Sequence, residues 1–360
     1  MSHLFEPLQL RDVTLKSRIG IPPMCQYSAQ DGMAGDWHFV HYGSRAVGGA
    51  ALMILEATAV TPTGRISAGD LGLWKDEQIE PLARIARFAQ AQGCVPAIQL
   101  AHAGRKASVG LGWEVQKTLS AAEGGWMSVG PSPIAFGDAY LPPHELTVAD
   151  IAEVIGQFVA SAKRALAAGF QAIEIHAAHG YLVHQFLSPL ANQRTDAYGG
   201  SFDNRTRLVR DIVAALRAVW PDRLPLLIRL SATDWVEGGW SADETVALCR
   251  RLTGLGVDLV DVSTAGLVPT AQIPVGPGFQ TEFATRIRCE TGLPTAAVGL
   301  ITSAIQADHI IRSGQADMVL LGRESLRHPY WPQQAALELG QTAVWPRQYL
   351  RAAPAGAQGR

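Results

Sequence analysis

The chain has 360 residues, 48% apolar and 17% charged, with 30 basic against 32 acidic side chains and a formal net charge of -2. Such a balance builds a full-sized buried core and supplies no global field for nucleic acid or an anionic membrane, so neither is expected as a partner. No apolar run approaches the roughly 20 residues that span a bilayer. The start, Met1-Ser2-His3-Leu4-Phe5, lacks a basic region ahead of an apolar core, and Cys25, Cys94, Cys249 and Cys289 form no CxxC and no zinc spacing. The expectation is a reduced, cytoplasmic protein.

In chain order, a first apolar strand reads over 19–24. Arg45-Ala46-Val47-Gly48-Gly49 then closes a helix and feeds a strand at 51–55, and Gly93 does the same for a strand at 95–100. Gly169 precedes a fourth strand at 172–175, a fifth reads over 225–230, and Gly256 precedes a sixth at 259–262. A seventh at 294–298 and an eighth at 318–321, behind Ser313-Gly314, complete the series. Glycine ends a helix in the left-handed conformation without a Cβ clash, so each such unit is a helix feeding a strand. Eight strands alternating with helices, and no Gly-x-Gly-x-x-Gly at any helix start, predict an α/β protein with a single (β/α)8 TIM barrel over 1–351. The Gly- and Pro-rich stretch at about 103–145 reads as a loop inserted after strand three, a lid or an interface. Residues 352–360 are too poor in packing side chains to fold and are expected as a disordered tail.

The unusual residues fall at the strand exits, where barrel active sites sit. Cys25 and Tyr27 follow strand one, Ala57 ends strand two, Gln99 and His102 end strand three, and Arg229 ends strand five. His176-Ala177-Ala178-His179-Gly180-Tyr181 follows strand four and concentrates two imidazoles and a phenol. The histidine pair reads in two ways. With His184 it could hold zinc, although no Asp, Glu or Cys stands at ligand spacing and no metal is expected. Alternatively both imidazoles donate to one carbonyl oxygen, with Tyr181 as the proton donor. Arg229, a charge in the apolar run Leu226-Leu227-Ile228-Arg229-Leu230, is either ion-paired with a carboxylate or set against an electron-rich ring, with Gln99 bonding the same ring's amide edge. Cys25 is either a buried small hydrophobe or a sulfur beside a redox group. Gly299 and Gly322-Arg323, after strands seven and eight, suit a phosphate cradled on backbone N–H groups, which points to FMN.

Taken together, Pro22-Pro23-Met24-Cys25-Gln26-Tyr27, Glu56-Ala57-Thr58, Gln99-Leu100-Ala101-His102-Ala103-Gly104-Arg105-Lys106, the His176–Tyr181 motif, Arg194-Thr195-Asp196 and Gly322-Arg323 carry a family resemblance. The chain resembles the Old Yellow Enzyme family of flavoproteins, specifically the bacterial class of xenobiotic reductases and YqjM-type NADPH dehydrogenases, over about residues 4–351. The resemblance implies an FMN-bound barrel that takes hydride from NADPH or NADH and passes it to the β-carbon of an enone or enal. It places Pro22, Pro23, Met24, Cys25, Ala57, Gln99, Arg229, Gly299, Gly322 and Arg323 around FMN, His176 and His179 on the substrate carbonyl, Tyr181 at the α-carbon, and Tyr27 against the substrate. Cys25 would tune the flavin. Within Trp345-Pro346-Arg347-Gln348-Tyr349-Leu350-Arg351, Arg351 would reach a neighbouring protomer's site in a homodimer or homotetramer, although the spacing around Leu350 departs from the family pattern. Val298 stands where xenobiotic reductases can carry tryptophan. Two other readings stay open: a metal hydrolase on His176, His179 and His184, and a non-catalytic FMN redox sensor through Cys25.

Overall fold

The computed structural model describes residues 3–355 and 357–359. Eight parallel strands close into a barrel: β1 (Ile19–Ile21), β2 (Leu52–Ala59), β3 (Val95–Ala101), β4 (Ala172–Ala177), β5 (Leu226–Ser231), β6 (Leu259–Ser263), β7 (Thr295–Val298) and β8 (Met318–Leu320). Each strand is followed by a helix on the outside: α1 (Asp36–Val47), α2 (Ile79–Ala91), α3 (Val148–Ala167), α4 (Arg207–Arg217), α5 (Ala242–Gly254), α6 (Thr281–Thr291), α7 (Ala304–Arg312) and α8 (Trp331–Glu338). Both faces of every strand are covered, so the strands read as apolar runs and not as alternations. The eight expected strands and the single barrel are all present. The first strand is shorter than expected: pairing stops at Ile21 because Pro22 and Pro23 have no N–H to give the ladder.

Parallel registers decide which polar residues share the barrel interior. Gln99 pairs with Glu174, His176 with Arg229, and Arg229 with Asp261. Side chains two apart on a strand lie on one face, so Glu174 and His176 belong to one inward-facing set with Gln99, Arg229 and Asp261. In β2 the register against β3 shifts between Leu55 and Thr58. This irregularity falls on Glu56 and Ala57 and re-aims them.

The N-terminal mouth is closed by a hairpin, Leu8–Leu10 with Val13–Leu15, whose Leu10, Val13 and Leu15 enter the main core. The inserted segment after β3 is mostly irregular. It carries short 3-10 turns at Gly104–Lys106 and Ala121–Glu123 and a two-residue pairing of Val129–Gly130 with His144–Glu145. It ends where Thr147 caps α3 by accepting from the Asp150 amide. The C-terminal stretch differs from the expected free tail: a 3-10 helix runs over Arg347–Ala352, and Gln358–Gly359 pairs with Val344–Trp345. Backbone pairing needs no apolar side chains, so composition could not foretell it. No helix among the described residues is long and apolar enough to cross a membrane.

Candidate active site

The residues expected to carry chemistry gather at the C-terminal mouth of the barrel. His176 is buried in β4, and His179 follows with φ of 57°, a left-handed turn that swings its ring back over the strand. The two imidazoles meet edge to face at 5.3 Å between centroids, and Tyr181 meets His176 at 4.9 Å. The turn is held from three sides. The His179 amide donates to Ser231 Oγ at 2.9 Å, the His179 carbonyl accepts from Lys106 Nζ at 2.9 Å, and Ser231 in turn donates to the Ala265 carbonyl.

Hydrogen bonding also fixes the tautomers. His176 Nδ1 accepts from the Ala178 amide at 3.3 Å, so the ring proton sits on Nε2. His179 Nε2 lies 2.7 Å from Ser263 Oγ, while Ser263 is 3.3 Å from Gln280 Oε1, an oxygen already served by Thr264 Oγ1 at 2.7 Å. Assigning the single Ser263 proton to the shorter of its two contacts, His179 Nε2, leaves His179 Nδ1–H as the free donor. Burial, then the positive charge of Arg229, holds both imidazoles well below the usual histidine range. Each imidazole is neutral with one N–H to offer. Burial, followed by Cys25 and Tyr27, pushes the Tyr181 phenol well above its usual value, so its proton stays in place at neutral pH.

Beneath these groups lies a polar floor. Gln99 Nε2 donates to Glu174 Oε1 at 2.8 Å, which leaves the Gln99 carbonyl oxygen for another donor. Arg229 Nε is 3.0 Å from Asp261 Oδ2. Burial raises both carboxyls, Glu174 well above its usual range and Asp261 to about 6, with Asp261 adding to Glu174's shift and Arg229 opposing both. The carboxylate-paired reading of Arg229 is met by Asp261.

Cys25 is a free, half-buried thiol packed with Tyr140 and Tyr181 against Ile66, Ala103, Ala107 and Val109. Burial, with Asp70 and Glu56 nearby, raises its pKa well above the usual value, so it is a thiol and not a thiolate. Tyr27, at φ of 51°, contacts Trp113 of the insertion edge to face at 6.1 Å. The intervening Gln26 is tied down: its amide donates to buried Glu56 at 2.8 Å, and its side chain spans the Met24 carbonyl and the Trp37 indole N–H.

On the far side, Gly299 and Gly322-Arg323 line a cavity of about 90 Å³ with Val298 and Leu300. Gly299 has φ of 124°, and a Cβ there would come 3.0 Å from Gln280 Nε2 and from the Phe279 ring. Gly322 of the β8 loop lies beside Pro22 and Met24, which join the two edges of the mouth. The open amides of this loop and exposed Arg323 suit a phosphate. Apolar Pro22, Pro23, Met24 and Ala57, the Gln99 amide and the Arg229 guanidinium suit the ring of a flavin. The residues present therefore fit FMN.

Two expected participants stand apart. His184 is buried in the short helix Leu182–Leu187, its Nε2 3.0 Å from Asp234 Oδ1 and its Nδ1 accepting from the Gly180 amide, so it does not join His176 and His179 as a metal ligand. Arg351 is exposed on the C-terminal 3-10 helix of its own chain. Conversely, Glu56, Glu174, Asp261, Lys106 and Ser263 were not among the expected site residues. Glu56, Glu174 and Asp261 share with Arg229 the legible signal of a charge inside an apolar strand. Lys106 and Ser263 gave no such signal.

A family model described as NADH:flavin oxidoreductase / NADH oxidase matches residues 3–341. The chain is 48% identical over 354 residues to an NADPH dehydrogenase of Listeria welshimeri, covering 98% of this chain and 99% of that protein. Among solved structures, morphinone reductase superposes with a TM-score of 0.77 at 28% identity, covering 95% of this chain and 91% of that one. 2-Naphthoyl-CoA reductase superposes with a TM-score of 0.84 at 24% identity, a likeness of fold; this chain spans about half of it, 52%.

Proposed function

Because the chain belongs to the NADH:flavin oxidoreductase / NADH oxidase family of FMN-dependent oxidoreductases, we propose that it is an ene-reductase acting on α,β-unsaturated carbonyl compounds with NADPH or NADH. Bound FMN would supply a two-electron carrier that takes hydride from the nicotinamide and returns it to the substrate's β-carbon. The chain's own part is to bind, polarise and protonate. His176 Nε2–H and His179 Nδ1–H converge on the carbonyl oxygen and draw charge off the alkene, which helps most when negative charge develops there. Tyr181 delivers its phenolic proton to the α-carbon. Gln99 and Arg229 hold the ring from below, and the Gly299 and Gly322-Arg323 loops hold the phosphate. Cys25 and Tyr27, presented by the Gln26–Glu56 tie, form the wall on the β1 side.

The observation that carries this reading is the pair of neutral imidazoles, each with one N–H, beside a protonated phenol at the mouth of the barrel. A metal hydrolase loses support because His184 is committed to Asp234. Arg351 entering a neighbouring site in a homodimer or homotetramer, and a cytoplasmic location, belong to the same proposal. The test is the visible spectrum of the purified protein, first alone, then with NADPH without oxygen, then with 2-cyclohexenone. Flavin bands that bleach with NADPH and return with the enone support the proposal. Bands that stay bleached with several enones would leave a redox sensor or a flavin reductase with another acceptor.

A further inference from the structure

Lys106 is a cation with no carboxylate at ion-pair distance among the described residues. Its ammonium donates to the His179 carbonyl at 2.9 Å and the Gly266 carbonyl at 3.0 Å, and it lies 4.4 Å from the Phe136 ring centroid and 5.0 Å from that of Tyr181. An ammonium has three hydrogens, and these carbonyls use two. The neighbouring charge is a second cation, Arg105, held by the Ile134, Ala135 and Leu267 carbonyls and by the face of Phe136, with Asp234 acting on it electrostatically. Burial, then Arg105, lowers the Lys106 pKa to about 8. A buried charge without a counter-ion is costly unless something supplies one. Lys106 keeps part of its surface exposed, and its ammonium lies over the Tyr181 ring.

We infer that Lys106 recognises a carboxylate on the molecule bound by His176 and His179, so that the enzyme selects unsaturated carbonyl compounds that also carry an acid group. This rests on the site reading of the preceding subsection and adds a charge preference to it. Phe136 and Tyr140 of the inserted segment, which meet edge to face at 5.0 Å, wall the same region and favour a planar ligand body. The remaining ammonium hydrogen would form a charge-assisted bond with the acid, while the carbonyl bonds keep the head from swinging away.

The test uses the oxidised holoenzyme and binding alone, read from the visible flavin absorbance. It is titrated with 3- and 4-hydroxybenzoate and with the matching uncharged hydroxybenzamides, at pH 7. The better acid should bind about tenfold or more tightly than its amide, as a charge-assisted hydrogen bond implies. Lys106→Met, which also removes a bond to the His179 carbonyl, should weaken the acid far more than the amide and bring that ratio close to one, and Lys106→Arg should keep the preference for the acid. Equal binding of acid and amide by the wild type overturns the inference, as does a Lys106→Met variant that weakens both ligands alike, since that marks a purely structural clamp. A Lys106→Met variant that keeps the acid preference but discriminates less between NADPH and NADH also overturns it, moving the anion to the nucleotide. Should neither ligand bind the wild type, it is the His176/His179 reading that fails.

Discussion

Replacing Ser263 by alanine separates the tautomer of His179 from its position. The His179 backbone is held by Ser231 and Lys106, at 2.9 Å each, so the turn stays when the Ser263 hydroxyl is removed. Gln280 keeps its bonds to Thr264 and to the Val298 carbonyl, so the neighbouring network stays as well. What is lost is the 2.7 Å contact that delivers a proton to His179 Nε2 and thereby leaves Nδ1–H pointing to the ligand. One neutral hydrogen bond is worth about 0.5 to 1.5 kcal/mol, which is about 2- to 13-fold in affinity. Ser263→Ala should therefore weaken the binding of a phenol such as 4-hydroxybenzaldehyde by that factor, read from the flavin absorbance. His176→Ala removes a donor outright to a charge-bearing oxygen and should cost about 10- to 150-fold. The reasoning is refuted if Ser263→Ala binds the phenol as wild type does, or if it costs as much as His176→Ala.

Tyr181→Phe should slow reoxidation of the reduced enzyme by 2-cyclohexenone by about 10²- to 10⁴-fold, the usual worth of a positioned acid, while reduction by NADPH stays within a few-fold of wild type. Stopped-flow measurement of the two half-reactions checks this, and equal slowing of both would remove Tyr181 from the proton-donor role. Glu56, raised to about 8 by burial, is bound as the neutral acid over most of the acidic and neutral range. Its folded pKa lies above its unfolded value near 4.5, so its contribution to stability is complete below about pH 4.5 and is lost as pH rises through 8. Melting temperatures from pH 5 to 8 should accordingly fall more steeply for wild type than for Glu56→Gln; parallel curves would mean that Glu56 does not titrate there. Asp234→Ala leaves the His184 ring, fully buried and 3.0 Å from the lost oxygen, without its hydrogen-bond partner, at a cost of about 1 to 3 kcal/mol. Denaturant unfolding measures the loss, and a recovery of stability with added zinc would revive a metal role for His184.

The architecture was written in the sequence because it rests on local, periodic signals. Eight apolar runs, several preceded by a helix-ending glycine such as Gly169 at φ of 86° or Gly314 at 71°, are enough to specify parallel strands buried on both faces. The same logic placed Tyr27, Gln99, His176, Tyr181, Arg229, Gly299 and Gly322 at one end of the barrel, since every strand of such a barrel exits on the same side. Where pairing depends on backbone alone, as for Gln358–Gly359 against Val344–Trp345, composition pointed the wrong way.

The sequence by itself thus determined the barrel, the family and the residues that end each strand, because those follow from hydrophobic period and from the order of residues along one strand. Only the tertiary structure decided the partners. That Arg229 meets Asp261, that Glu174 takes Gln99, that His184 turns to Asp234, and that Lys106 stands beside Tyr181 are relations between residues 32 to 75 positions apart, set by strand register and loop crossing. The protonation of the site follows from those contacts and from burial: neutral imidazoles, a retained phenolic proton and the His179 tautomer exist only once the barrel has closed around them.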